Sequence, residues 1–193
     1  MRKLILTDVD ETCLEFANPF QRYCEASGYT TASKLRDTYH LEAFLGLSRE
    51  ECEAVLRAYA KTTEGSLEQP PEVCAATVIP QLYAAGYDFV AITACGIDED
   101  FRAARTTCLN NTFGFTWKEV HTVALQGTKA DVLRQYPASI WVEDHFGHAV
   151  DGAEMGHRVF LLSRTYNEGK DHPLVTRVKD WHEIAAHLAG DAA

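Results

Sequence analysis

No stretch of this 193-residue chain is apolar for long enough to span a bilayer as a helix. Its longest apolar runs are strand-sized, well short of the ~20 residues that a spanning helix needs. The run behind Met1-Arg2-Lys3 is broken at Asp8, so no signal peptide is expected. Basic runs are lacking too. Lys and Arg number 18 against 28 Asp and Glu, which gives a formal charge of -10. A chain that grips a polynucleotide normally carries a basic face, so no long nucleic-acid partner is expected. A small phosphorylated partner is still allowed, because a few local cations hold one phosphate. No Cys-x-x-Cys pair occurs among Cys13, Cys24, Cys52, Cys74, Cys95 and Cys108. Scattered thiols of this kind are expected as small core residues in a reducing, cytoplasmic compartment. Internal repeats and low-complexity segments are absent as well.

What remains is ordinary globular material, 46% hydrophobic and 24% charged. That suits one domain with room for an inserted subdomain. Residues 3–9 read as a buried strand ending in acids. Residues 14–69 change to helical spacing, with Leu41, Phe44, Leu45 and then Cys52, Val55, Leu56, Tyr59. Ser48 followed by Glu51 predicts a capped helix start, and Pro70-Pro71 marks the end of the helical part. Helices are then predicted over 72–85, 98–111, 128–136 and 146–155, with a last one beginning at Asp180. Strands are predicted over 88–93, 120–125, 139–143 and 158–162. Strands alternating with helices imply right-handed βαβ units in a mostly parallel, five-stranded sheet, with every strand ending at one edge. Ligands bind at that edge in such sheets.

Four polar stations fall on that edge. Asp8 and Asp10 follow the first strand, Thr93 ends the second, Lys129 opens a helix, and Glu143-Asp144 ends the fourth. Carboxylates, with water and phosphate oxygens, are the ligands that Mg²⁺ prefers. Lys129, the Thr93 hydroxyl and backbone N–H groups around Ala94 are suited to phosphate oxygens. Singly, each station has a plain reading: a turn acid, a strand-end hydroxyl, a solvated lysine. It is the ordered set that points to chemistry. His145 and His148 are expected as solvated loop histidines, because no third zinc ligand has suitable spacing. Cys95 is expected as a small residue near the site; the arginine that a cysteine phosphatase needs six residues on is missing. Phe16, Phe20, Tyr23 and Tyr39 either stack a base or pack the helical part.

Ile5-Leu6-Thr7-Asp8-Val9-Asp10-Glu11-Thr12 resembles the first motif of haloacid dehalogenase (HAD) superfamily phosphatases. Thr93, Lys129 and Glu143-Asp144 resemble the second, third and fourth motifs, in order. The resemblance covers residues 1–13 and 70–193 as a Rossmann-like α/β core, with 14–69 as a small helical cap inserted after strand one. The Asp-x-Asp-x-Thr form is similar to the phosphatases; dehalogenases have only one of the two acids. Trp141-Val142-Glu143-Asp144 and Arg164-Thr165-Tyr166-Asn167 look nearest to the 5'(3')-deoxyribonucleotidase-like branch. Thr165 stands where that branch has proline, and Glu11 where many of its members have glycine.

The resemblance implies that Asp8 is a nucleophile forming an aspartyl-phosphate and that Asp10 is the general acid and base. It implies that Asp8, the Asp10 backbone carbonyl and Asp144 hold Mg²⁺. It also implies that Thr93, Ala94 and Lys129 hold the phosphoryl group and that Glu143 orients the surroundings of the metal. The favoured substrate is a (deoxy)nucleoside monophosphate. The rivals are a sugar phosphate, a polynucleotide 3'-phosphate, and a binding protein that keeps the fold without catalysis.

Overall fold

The period of two along a strand decides the layering. In β1 (Lys3–Thr7), Ile5 enters one apolar cluster and Leu6 another. In β2 (Tyr87–Thr93), Phe89 and Ala91 go with Ile5, and Val90 and Ile92 with Leu6. The alternation recurs at Trp141 and Val142 of β4 (Ile140–Glu143) and through β5 (Arg158–Leu162). Strands buried on both faces need helices on both faces, the arrangement of a parallel sheet. The computed structural model, which describes residues 2–31, 34–38, 40–125 and 127–190, has that arrangement. Adding β3 (Glu119–Thr122) and β6 (Val175–Val178), the sheet order is β3-β2-β1-β4-β5-β6, with every pairing parallel.

The sheet therefore has six strands and not the expected five. The extra strand, β6, has four residues at the sheet edge and carries Arg177 at its centre. Only Val178 in it is fully buried, so it lacks the apolar run that marks β1, β2, β4 and β5.

The helices are α1 (Ala17–Ala26), α2 (Leu41–Leu45), α3 (Arg49–Ala60), α4 (Thr63–Ser66), α5 (Ala75–Ala84), α6 (Glu99–Phe113), α7 (Ala130–Leu133), α8 (Phe146–Glu154) and α9 (Trp181–Gly190). α5, α6 and α9 cover one sheet face; α7 and α8 cover the other. α3 starts in the capping box expected of Ser48 and Glu51. α7 is shorter than the helix predicted over 128–136: Thr128 Oγ1 accepts from Ala130 N (3.1 Å), but the chain leaves the helix before Pro137. α1 to α3 pack on a third apolar cluster, separate from the other two, with Phe20, Phe44, Val55 and Tyr59 at its centre. All six thiols are free. Among the described residues, no helix is long and apolar enough to cross a membrane.

β1 is flanked by β2 and β4, and the chain order reverses there. Such a reversal leaves a crevice at the strand ends. Asp8 sits at its mouth.

Trp141, fully buried, leans on α8 at Gly152. A Cβ on Gly152 would lie 2.5 Å from Trp141 Cδ1. Gly152→Ala gains about 1 kcal/mol of helix propensity, but pushing the indole aside costs about 1–3 kcal/mol. A net loss of up to about 2 kcal/mol is expected in urea unfolding. A raised midpoint would show that the indole has room to move.

Candidate active site

The loop after β1 is tightly wound. Asp8 N donates to Val142 O (2.9 Å), which extends the contact between β1 and β4 by one residue. The N–H groups of Thr12, Cys13 and Leu14 then all converge on Val9 O at 3.3, 2.8 and 2.9 Å. The turn puts Glu11 in the left-handed region (φ 58°), where glycine is favoured. The cost for another residue, of order 1–3 kcal/mol, persists only where the surroundings enforce it. Here they do. Glu11 Oε1 accepts from Phe16 N and Ala17 N, both at 2.8 Å, and so caps α1. Its carbonyl accepts from Arg164 Nε (3.1 Å) and Nη2 (2.5 Å). Trp181 Nε1 anchors the loop from α9 by donating to Thr12 O (2.8 Å).

Below the loop lies a buried ionic cluster. Lys129 Nζ is 2.5 Å from Asp8 Oδ1 and 2.8 Å from Glu143 Oε2. Glu143 Oε1 accepts from Asp144 N (3.0 Å) and His145 N (2.9 Å). Asp144 accepts from Thr12 Oγ1 (3.2 Å) and Tyr166 Oη, and its carbonyl accepts from Asn167 Nδ2 (2.7 Å). All four charged side chains are almost fully buried. Burial, the largest effect, pushes the Asp8 carboxyl up to about 7; Lys129 opposes this, and Asp144 and Asp10 add to it. Burial and then the neighbouring Glu143 push Asp144 up to about 7. Burial raises Glu143 as well. Lys129 is disfavoured by burial, yet Asp8 and Glu143 hold its ammonium protonated above the usual lysine range.

Three carboxylates and one ammonium leave surplus negative charge in a dry place. The surplus is what a cation would offset. Asp8, Glu143 and Asp144 each offer an oxygen within 4.8 Å of the others, so these acids could share one metal ion. Hard oxygen donors suit Mg²⁺. Lys129 and two N–H groups already engage Glu143, so Asp8 and Asp144 are the better donors of the three. The Asp10 carboxylate lies outside the group; the resemblance assigns its backbone carbonyl to the metal.

Asp10 is held from the other side. Its Oδ1 accepts from Gln69 Nε2 (2.9 Å) and lies 3.3 Å from an Arg105 nitrogen, while its Oδ2 is 3.5 Å from Thr93 Oγ1. Asp8, Asp10, Thr93, Ala94, Lys129, Glu143 and Asp144 all line a single cleft of about 1060 Å³. The sequence missed four contributors. Tyr166 and Asn167 belong to the Arg164-Thr165-Tyr166-Asn167 stretch that marked the branch, and they brace Asp144. Gln69 and Arg105 carried no signal, because a polar residue before Pro70 and an arginine in a polar helix look like surface.

His145 and His148 are not solvated loop residues. Both are half-buried in the cleft wall around the start of α8, where the His145 ring accepts from His148 N (3.4 Å). Burial and then Lys129 lower them to about 4 and about 3, so both are neutral at pH 7. Cys95 does line the cleft. In the aromatic set, Phe20 is fully buried and packs the helical cluster. Phe16, stacked on it at 5.1 Å, reaches the cleft. Tyr39 lies outside the described residues.

No family model matches the sequence, and no curated protein matches it. Solved structures match in shape over nearly the whole chain. A dehalogenase shares 16% identity at a TM-score of 0.65, covering 97% of this chain and 97% of its own. The L-2-haloacid dehalogenase of Xanthobacter autotrophicus, with chloropropionic acid covalently bound, shares 13% at 0.62, covering 98% and 99%. The D,D-heptose 1,7-bisphosphate phosphatase of B. bronchiseptica, complexed with magnesium and phosphate, shares 14% at 0.63, covering 98% and 99%. At these identities the likeness is one of fold alone, an α/β fold shared with these dehalogenases and this phosphatase.

The charge surplus predicts how a divalent cation stabilises the protein. The Asp8 and Asp144 pKa values are raised on folding, so the native state keeps protons that the unfolded chain has lost. Their contribution to stability falls as pH rises from about 4 towards about 7. His145 and His148, lowered on folding, act in the opposite sense below about 6.5. Comparing Tm with and without Mg²⁺ at each pH cancels most of the histidine effect. The rise in Tm on adding Mg²⁺ is expected to be larger at pH 8 than at pH 6, and to vanish in Asp144→Asn. An equal rise at both pH values, or one that survives the substitution, would place the cation elsewhere.

Proposed function

We propose that the chain is a Mg²⁺-dependent phosphomonoesterase that works through an aspartyl-phosphate on Asp8. The observation that carries this reading is the second acid. Asp10 stands two residues from Asp8, on the same cleft, with one oxygen gripped and the other near Thr93. A nucleophile alone would serve a dehalogenase. A second, positioned carboxyl is needed when the leaving group is an oxygen that must take up a proton.

The steps follow from these groups. An Asp8 carboxylate oxygen attacks phosphorus, the bond from phosphorus to the leaving oxygen breaks, and the proton on Asp10 goes to that oxygen. Asp10, now ionised, takes a proton from a water that attacks phosphorus. The bond to Asp8 then breaks, releasing inorganic phosphate and restoring the carboxylate. Lys129, Thr93 and the backbone around Ala94 hold the phosphoryl oxygens, and Glu143 fixes Lys129. Bound through Asp8, Asp144 and the Asp10 carbonyl, Mg²⁺ supplies the positive charge that lets an anionic carboxylate approach an anionic phosphate.

The finer reading is a (deoxy)nucleoside monophosphate substrate, in a cytoplasmic enzyme whose cap is residues 14–69. Phe16 in the cleft wall supports it by offering a face for a base. So does the bracing of Asp144 by Tyr166 and Asn167, the segment similar to the nucleotidase-like branch. Halide displacement from a 2-haloacid is the second reading, favoured by the fold likeness to dehalogenases.

Asp8→Asn is expected to lower Mg²⁺-dependent phosphate release from 4-nitrophenyl phosphate by about 10³-fold or more. Unchanged turnover would sink the covalent route. Across a panel of nucleoside monophosphates and sugar phosphates, kcat/KM is expected to be highest for a nucleotide. A sugar phosphate in first place would overturn the finer reading, and halide release from 2-chloropropionate without phosphatase activity would favour the dehalogenase.

A further inference from the structure

Arg105 is 2% exposed, in the middle of α6. A buried guanidinium is costly unless its partners compensate, and it is weak evidence for stability. Its partners are few. One terminal nitrogen donates to Gln69 Oε1 and the other lies 3.3 Å from Asp10 Oδ1. Its Nε is buried with no hydrogen-bond partner among the described residues, and Phe101 covers one face at 5.1 Å. The fork is thus aimed into the cleft and spends its directional donors on two groups. Gln69, itself 1% exposed, passes the grip on by donating from Nε2 to the same Asp10 oxygen (2.9 Å).

The consequence is an asymmetric carboxylate. Oδ1 of Asp10 is clamped from two sides, while among the described residues Oδ2 meets only the long 3.5 Å contact with Thr93 Oγ1. A contact of that length is weak. We propose that Arg105, acting with Gln69, is a positioning residue. By holding Oδ1 it fixes the rotamer of Asp10 and presents Oδ2 as the oxygen that passes the proton to the leaving group. This rests on the reading of Asp10 as general acid given above.

The test uses leaving groups. 4-Nitrophenolate departs without needing a proton, whereas an alkoxide needs one. The substrates are 4-nitrophenyl phosphate and whichever sugar phosphate or nucleoside monophosphate the wild type turns over fastest. The variants are Arg105→Met, Arg105→Lys and Gln69→Leu, with Asp10→Ala as reference. Since kcat/KM covers the steps through departure of the leaving group, it isolates the first proton transfer. For Arg105→Met and Gln69→Leu, kcat/KM on the alkyl ester is expected to fall about 10²-fold or more, while the aryl ester stays within about tenfold. Arg105→Lys, which keeps the charge but not the fork, is expected to fall in between. Equal losses on both esters would overturn the proposal, because a merely structural arginine lowers the amount of active enzyme for every substrate. If Arg105→Met does not fold, Gln69→Leu decides alone by the same ratio. If Asp10→Ala itself shows no difference between the esters, the general-acid reading fails, and not merely the clamp.

Discussion

Lys129 stands between Asp8 and Glu143 with almost no exposure, and the site is organised around that ammonium. Taking an ion out of water costs several kcal/mol, even after relaxation. Four such side chains in contact are a poor way to stabilise a protein. Their mutual attraction offsets only part of the cost, and the excess of carboxylate leaves the remainder outstanding. The raised Asp8 and Asp144 carboxyls are the local sign of that imbalance. On the proposed reading, a divalent cation at the carboxylates and a phosphate dianion at Lys129 correct it together.

The sheet makes this possible. β1 and β4 are neighbours, so Asp8 and Glu143-Asp144 leave the sheet side by side although about 135 residues separate them. β2 brings Thr93 to the opposite flank of Asp8. The tight turn over Val9 then carries Asp10 across the crevice, at the cost of a left-handed Glu11. That residue repays its strain by capping α1, where the helical segment begins. The backbone that aims the second acid and the start of the helical segment are therefore one construction. A glycine would adopt the turn more freely but would leave Phe16 N and Ala17 N without their carboxylate.

Much of this could be read from residue order. Asp8, Thr93 and Glu143-Asp144 each end an apolar run, so their meeting at one sheet edge followed once the runs were taken as parallel strands. The Ser48 and Glu51 cap was legible because capping is local in sequence. Features depending on distant partners were not. β6 has no apolar run and exists because β5 offers it an edge. Arg105 and Gln69 look like surface residues until the fold closes over them. His145 and His148 read as solvated because nothing in the sequence shows that the wall of the cleft folds against them. Phe20 and Phe16 have the same composition and spacing cues, yet one is core and the other faces the cleft.

The chemistry assigned to Asp8 is covalent, and a covalent bond can be caught. Turnover with a phosphomonoester in the presence of Mg²⁺, quenched with borohydride, reduces an aspartyl-phosphate to homoserine. Peptide mass spectrometry of the quenched protein is predicted to find homoserine at position 8 and at no other acid. Intact Asp8 after quenching during active turnover, or reduction at Asp10, Glu143 or Asp144 instead, would contradict the account.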